Sequence, residues 1–107
     1  MFKKVMIVAV VVFSSGAYAE WKDVAYTAHL PNEAVYCDGL GNLRDFVGHV
    51  QDQNVQGAMQ MVADGDCRMT SGRMEIQVIQ EESVDEVISF IAPSGKGFYT
   101  LKGYTQQ

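Results

Sequence analysis

Four carboxylates crowd into six residues at Glu81, Glu82, Asp85 and Glu86. Paired carboxylates can hydrolyse glycosides or hold cations. Either use needs a second polar motif to position a substrate, and none stands beside these. A tip of this composition reads as a solvated hairpin loop that discourages edge-to-edge aggregation. All four side chains are therefore expected to be exposed, and neutralising them together should leave the fold intact. Asp64-Gly65-Asp66, with Glu75 twelfth in a loop counted from Asp64, has the outline of a calcium loop. Arg68 fills the fifth, ligating place, however, and Met69 the sixth, where the sharp turn needs Gly. His29 and His49, the two histidines, have no Asp or Cys at ligand or triad spacing. Ser94-Gly95 lacks the G-x-S-x-G frame of a serine nucleophile, and no phosphate-binding Gly loop occurs. The expectation is a non-enzymatic protein with no cofactor and no metal.

Cys37 and Cys67 are the only cysteines. Two thiols cannot complete a tetrahedral zinc site, and no C-x-x-C redox spacing exists. In an oxidising compartment they are expected to form one disulfide. Closing a loop of about 30 residues should stabilise the fold by roughly 3–4 kcal/mol in the chain-entropy model.

The compartment is indicated at the other end of the chain. Lys3 and Lys4 precede an apolar run from Val5 to Phe13, followed by small residues ending in Ala17-Tyr18-Ala19. These are the three parts of a secretory signal peptide. The run is far shorter than the about 20 apolar residues a membrane-spanning helix needs. The expectation is cleavage after Ala19, with residues 20–107 working as one exported domain, most simply in the periplasm. Glu20 is not a Cys, so no lipid anchor is expected. Losing Lys3 and Lys4 leaves six basic against thirteen acidic residues, a net charge of −7 in place of −5. Such a body repels phosphate backbones and anionic membrane surfaces. Nucleic acid and stable membrane insertion after cleavage are not expected, whereas a cationic partner would be drawn in.

Hydrophobic periodicity indicates the elements that must carry these residues. Tyr26, Ala28 and Leu30 alternate with Thr27 and His29, a short strand ended by Pro31. Leu40, Leu43, Phe46, Val47 and Val50 form one helical stripe, with Asp38 as the expected N-cap. A second short helix is predicted from Val55 to Ala63, burying Val55, Ala58, Met59 and Val62, with Gly65 able to close it in the left-handed conformation. The period then changes from 3.6 to 2. Cys67-Arg68-Met69, Met74 to Val78, Val87 to Ala92 and Phe98 to Leu101 read as strands, with Ile76, Val78, Ile88 and Phe90 inside. The helical pair spans about residues 38–64. A disulfide would tie the start of the first helix to the strand beyond the second.

The segment from Asp66 to Tyr104 resembles the bacterial SH3-like domains of exported proteins. The likeness lies in Gly72-Arg73-Met74-Glu75-Ile76-Gln77-Val78-Ile79, a turn and an alternating strand, and in Ser94-Gly95-Lys96-Gly97-Phe98-Tyr99-Thr100-Leu101, a Gly turn, an aromatic pair and a short strand. The resemblance implies a small antiparallel β-barrel over about residues 66–104. The expected fold class is thus α+β: two short helices packed on an SH3-like barrel, with one disulfide. The helical pair and Phe98, where Trp or Tyr is more usual, depart from the family pattern, so no family ligand residues carry over. Phe98 and Tyr99 face opposite ways on a strand, one toward the core and one outward. Tyr99 and Tyr104, with the four carboxylates, form the expected binding surface. The expected function is a small binding module contacting a protein or the cell wall. The alternative is an acidic inhibitor or immunity-type protein that captures a basic secreted enzyme such as a lysozyme.

Overall fold

The computed structural model describes residues 20–106; the expected signal peptide, residues 1–19, lies outside them. The elements are β1 (Trp21–Leu30), β2 (Val35–Cys37), α1 (Leu40–Gln51), α2 (Val55–Ala63), β3 (Cys67–Met69), β4 (Met74–Glu82), β5 (Val87–Ile91), β6 (Gly97–Leu101) and a 3-10 turn at Lys102–Tyr104. All six strands join one antiparallel sheet in the order β1-β4-β5-β6-β2-β3. Among the described residues, no helix is long and apolar enough to cross a membrane.

The sheet curls without closing, so the expected barrel is not what forms. β1 and β3 remain its edges, and β3 is only three residues long. Irregularities between Asp23 and Tyr26 and between Val78 and Gln80 bend β1 and β4; such bulges increase local twist. The weak seam is β2–β6, registered through a single pair, Cys37 with Tyr99. The buried Thr100 hydroxyl reinforces that seam by donating to the Val35 carbonyl at 2.7 Å.

Alternation gives the sheet two apolar faces. The concave face buries Ala28, Leu30, Ile76, Val78, Ile88, Phe90 and Phe98. Tyr36 packs edge-on against Phe98 and Phe90, with ring centroids 4.9 and 5.8 Å away. All four residues expected inside on β4 and β5 are there. The opposite face carries the helices: Leu43 and Phe46 of α1 and Ala58 and Met61 of α2 pack on Val35, Val87 and the disulfide. Cys37 and Cys67 are registered partners on β2 and β3, fully buried and joined at 2.04 Å. The bridge thus holds the chain on both sides of the helical pair.

Two local expectations are corrected. Gly39 is the N-cap of α1, without a side-chain bond. Asp38 reaches across instead to Arg68 and Lys96, at 3.9 and 3.8 Å. In α2 the buried residues are Ala58 and Met61, while Val55 and Met59 are exposed. Asn54 caps the helix by accepting from Gly57 N–H at 3.0 Å, and Ala58 and Met61, three residues apart, form the face that packs with Leu43, Phe46 and the disulfide. Gly65 does close the helix with a positive φ of 85°, as its lack of a Cβ permits.

Candidate functional site

The acidic segment does not form one surface. Glu82 ends β4 with 1 % exposure. Its carboxylate turns back into the hairpin, accepting from Asp85 N–H at 3.1 and 3.2 Å and also from Val84 N–H. A buried carboxylate is tolerated where its lone pairs are used in this way. The expectation that all four acids are exposed and dispensable therefore fails at Glu82, which builds the tip. Glu81 is half-buried: the Tyr26 hydroxyl donates to it, and Lys102 Nζ lies 3.3 Å away. The Tyr26 bond, assisted by Lys102 and by the charge of Lys22, holds its carboxyl below the usual 4.5, against the opposing pull of burial. Asp85 lies apart, in an apolar groove of about 320 Å³ with Leu43, Arg44 and Val47. Glu86 takes a positive φ of 55°, and its carbonyl accepts from Lys102 N–H at 2.7 Å.

Glu20, Glu81, Glu82 and Glu86 do share a recess of about 500 Å³, away from Asp85, and Lys22 and Lys102 share it with them. The two lysines offset only part of the charge of its carboxylates. Among the described residues, no three of His, Cys, Asp or Glu are placed to hold a metal ion. The histidines are far apart in role. His29 pairs through its backbone with Gln106, and its ring Nδ1 is buried without a partner among the described residues. The ring of His49 meets the Asn54 amide at 3.2 Å and joins the two helices.

The two tyrosines also part company. Phe98 and Tyr99 do face opposite sides of the sheet, Phe98 being buried in the concave core. Tyr99 is half-buried on the other side, edge-on to Trp21 at 5.9 Å and packed against the helical core. It is structural more than presented. Tyr104, in the 3-10 turn, walls the roomiest of these cavities, a cleft of about 590 Å³. Val35 and Phe46 lie at its apolar base and Val50 at its open side, with the 31–34 connector and the 103–106 segment as its two lips.

Three independent tethers hold the cleft. The disulfide anchors β2 immediately before α1. Thr70 hydrogen-bonds the connector twice, donating from its hydroxyl to the Pro31 carbonyl at 2.6 Å and accepting from Ala34 N–H at 2.9 Å. Gln106 and His29 exchange backbone hydrogen bonds of 2.6 and 2.7 Å, which fix the C-terminal lip. Of the residues expected on the binding surface, Tyr104 lines this cleft; Glu33, Phe46 and Val50 line it too and carried no such expectation from the sequence. Phe46 and Val50 sit on a helical stripe that reads as core. Pro31-Asn32-Glu33 signals only a turn. An open concave surface with an aromatic wall, an apolar base and a polar rim suits binding of a partner group, and no nucleophile–base pair lines it.

Compared with known proteins, the chain matches no family model, no curated sequence and no solved structure.

Proposed function

We propose that this is a small exported, non-enzymatic binding module that engages a protein partner through the cleft beside Tyr104. The observation that carries this reading is the cleft itself: about 590 Å³, apolar at its base and braced by a disulfide, a connector hydroxyl and a backbone bridge. Rigid elements keep such a surface ready to bind without an ordering cost. The resemblance to SH3-like exported domains supports the same use, a small curled sheet presenting a binding groove. Export is supported by the leader sequence and agrees with the disulfide. The acidic-inhibitor alternative keeps one support, the excess of acidic over basic residues. It would employ the same cleft against a basic enzyme.

The test places a photo-cross-linking amino acid at Val50 or at Val84 in the producing cells. These residues are similarly accessible, 49 % and 54 % exposed, but Val50 borders the cleft and Val84 tops the acidic hairpin. A discrete protein adduct from Val50 and none from Val84 is expected. Adducts from Val84 alone would move the binding surface to the hairpin, and none from either site would count against a binding module.

A further inference from the structure

Glu33 is the one charged side chain lining the cleft, and among the described residues no cation pairs with it. This separates it from Asp38, Glu81 and Glu82; Asp85 and Glu86 also lack an ion pair among the described residues, but neither lines this cleft. Asp38 has Arg68 and Lys96, Glu81 has Lys102 and Tyr26, and Glu82 has two backbone amides. Glu33 is also held where a glutamate does not belong. Its φ is 63°, in the left-handed region that L side chains avoid and glycine enters freely. The surrounding bonds impose that angle: Glu33 N–H donates to the Thr70 carbonyl at 3.2 Å, and the neighbouring Asn32 carboxamide accepts from Gly72 N–H at 2.7 Å. Backbone strain of this kind persists where the surroundings over-determine it and concentrates at functional sites.

The rest of the cleft complements a cation with an apolar stem. Val35, Phe46 and Val50 offer aliphatic and aromatic surface, and Tyr104 adds a ring. Lysine and arginine bury their methylene stems on such surfaces while the charged head stays at the rim. A tyrosine ring adds attraction for the cation. The chain's excess of acidic residues draws basic molecules toward it at long range. The recess at Glu81 also carries net negative charge, but it holds two lysines of its own and lacks the aromatic and aliphatic lining of the cleft.

We propose that the cleft receives a lysine or arginine side chain projecting from a basic protein partner, with Glu33 as its ion-pairing acceptor and Phe46, Val50 and Tyr104 around its stem. This rests on the reading of the cleft as the binding surface and adds the chemistry of what enters it.

The test titrates the isotope-labelled exported form with blocked glycine–X–glycine peptides, X being lysine, arginine or norleucine, and follows the Glu33, Gly103 and Tyr104 amides. Norleucine keeps an aliphatic stem and lacks the charge. Lysine and arginine peptides should shift these amides in a saturable way and bind about threefold more tightly than the norleucine peptide, as an ion pair with an exposed carboxylate implies. Glu33→Gln should erase that preference. Glu33→Gly should erase it too while unfolding at higher temperature than the parent, so its lost binding cannot be blamed on misfolding. Equal binding of lysine and norleucine peptides, or a charge preference surviving in Glu33→Gln, would overturn the role of Glu33 and leave the cleft standing. No shift at these amides with any peptide would overturn the proposal. The Val50 cross-link then decides separately whether the cleft binds anything.

Discussion

Two glutamates of this chain hold a left-handed backbone conformation, Glu86 at the acidic hairpin and Glu33 at the cleft. Their surroundings differ in kind. The hairpin uses two of its acids internally: Glu82 ties down two amides and Glu81 bonds Tyr26 and Lys102, while Glu86 contributes its backbone carbonyl to Lys102 N–H. At the cleft the backbone is pinned just as firmly through Thr70, yet the Glu33 carboxylate has no partner among the described residues. A dense run of charge is therefore a poor guide to function when the fold consumes it. What sets Glu33 apart from Glu86 is the cleft it lines, with Val50 and Tyr104 beside it.

The strongest perturbation of that contrast is loss of the bridge. Replacing Cys37 and Cys67 together by Ala should cost about 3–4 kcal/mol in urea unfolding. The bond anchors β2 and the start of α1, whereas the hairpin is held by β4 and β5. Amide exchange should therefore accelerate at Phe46 and Val50 well before it does at Ile88 and Phe90, which lie in the other core. Equal acceleration in both places would mean that the two regions share one cooperative support.

Glu82→Ala strikes the hairpin alone. It strands the Val84 and Asp85 N–H groups and should cost about 1–3 kcal/mol. Asp85→Asn, at an exposed side chain, should change stability by less than about 0.5 kcal/mol. If the two variants are equally stable, Glu82 is not the structural member of the acidic run.

The smallest effect concerns pH. The folded Glu81 carboxyl titrates below its ordinary value, chiefly through the Tyr26 hydroxyl. Its contribution is therefore present above the unfolded value near 4.5 and is lost as pH falls through the folded one. Tyr26→Phe should raise the folded value and shrink that acid-side loss, by under about 1 kcal/mol. A carboxyl-carbon NMR titration of Glu81 reads the shift directly. An unchanged titration in Tyr26→Phe would assign the depression to Lys102.

Much of the frame was legible in the sequence because it rests on local periodicity. The second helix falls at Val55–Ala63 as the pattern indicates, and the alternation of Met74 to Val78 fixes the face that enters the core. The two-cysteine count led to the observed bridge. What periodicity cannot convey is long-range pairing. The three-residue β2 has no pattern of its own and exists because Thr100 and β3 supply its partners. Whether the sheet closes depends on edges that meet, or fail to meet, far apart in sequence. The site suffered for the same reason. Glu82 reads as one more surface acid until its backbone partners are seen, and Glu33 becomes distinctive only through its φ and the cleft assembled around it.

The most direct test of the account is urea unfolding of Glu33→Gly and Glu82→Ala beside the parent at neutral pH. Glycine at position 33 relieves the left-handed strain at some cost in unfolded-chain entropy, so Glu33→Gly should gain about 0.5–1 kcal/mol while Glu82→Ala loses about 1–3 kcal/mol. Opposite signs would show that one carboxylate is retained in spite of the fold and the other because of it. A destabilised Glu33→Gly, or a Glu82→Ala as stable as the parent, would contradict the account.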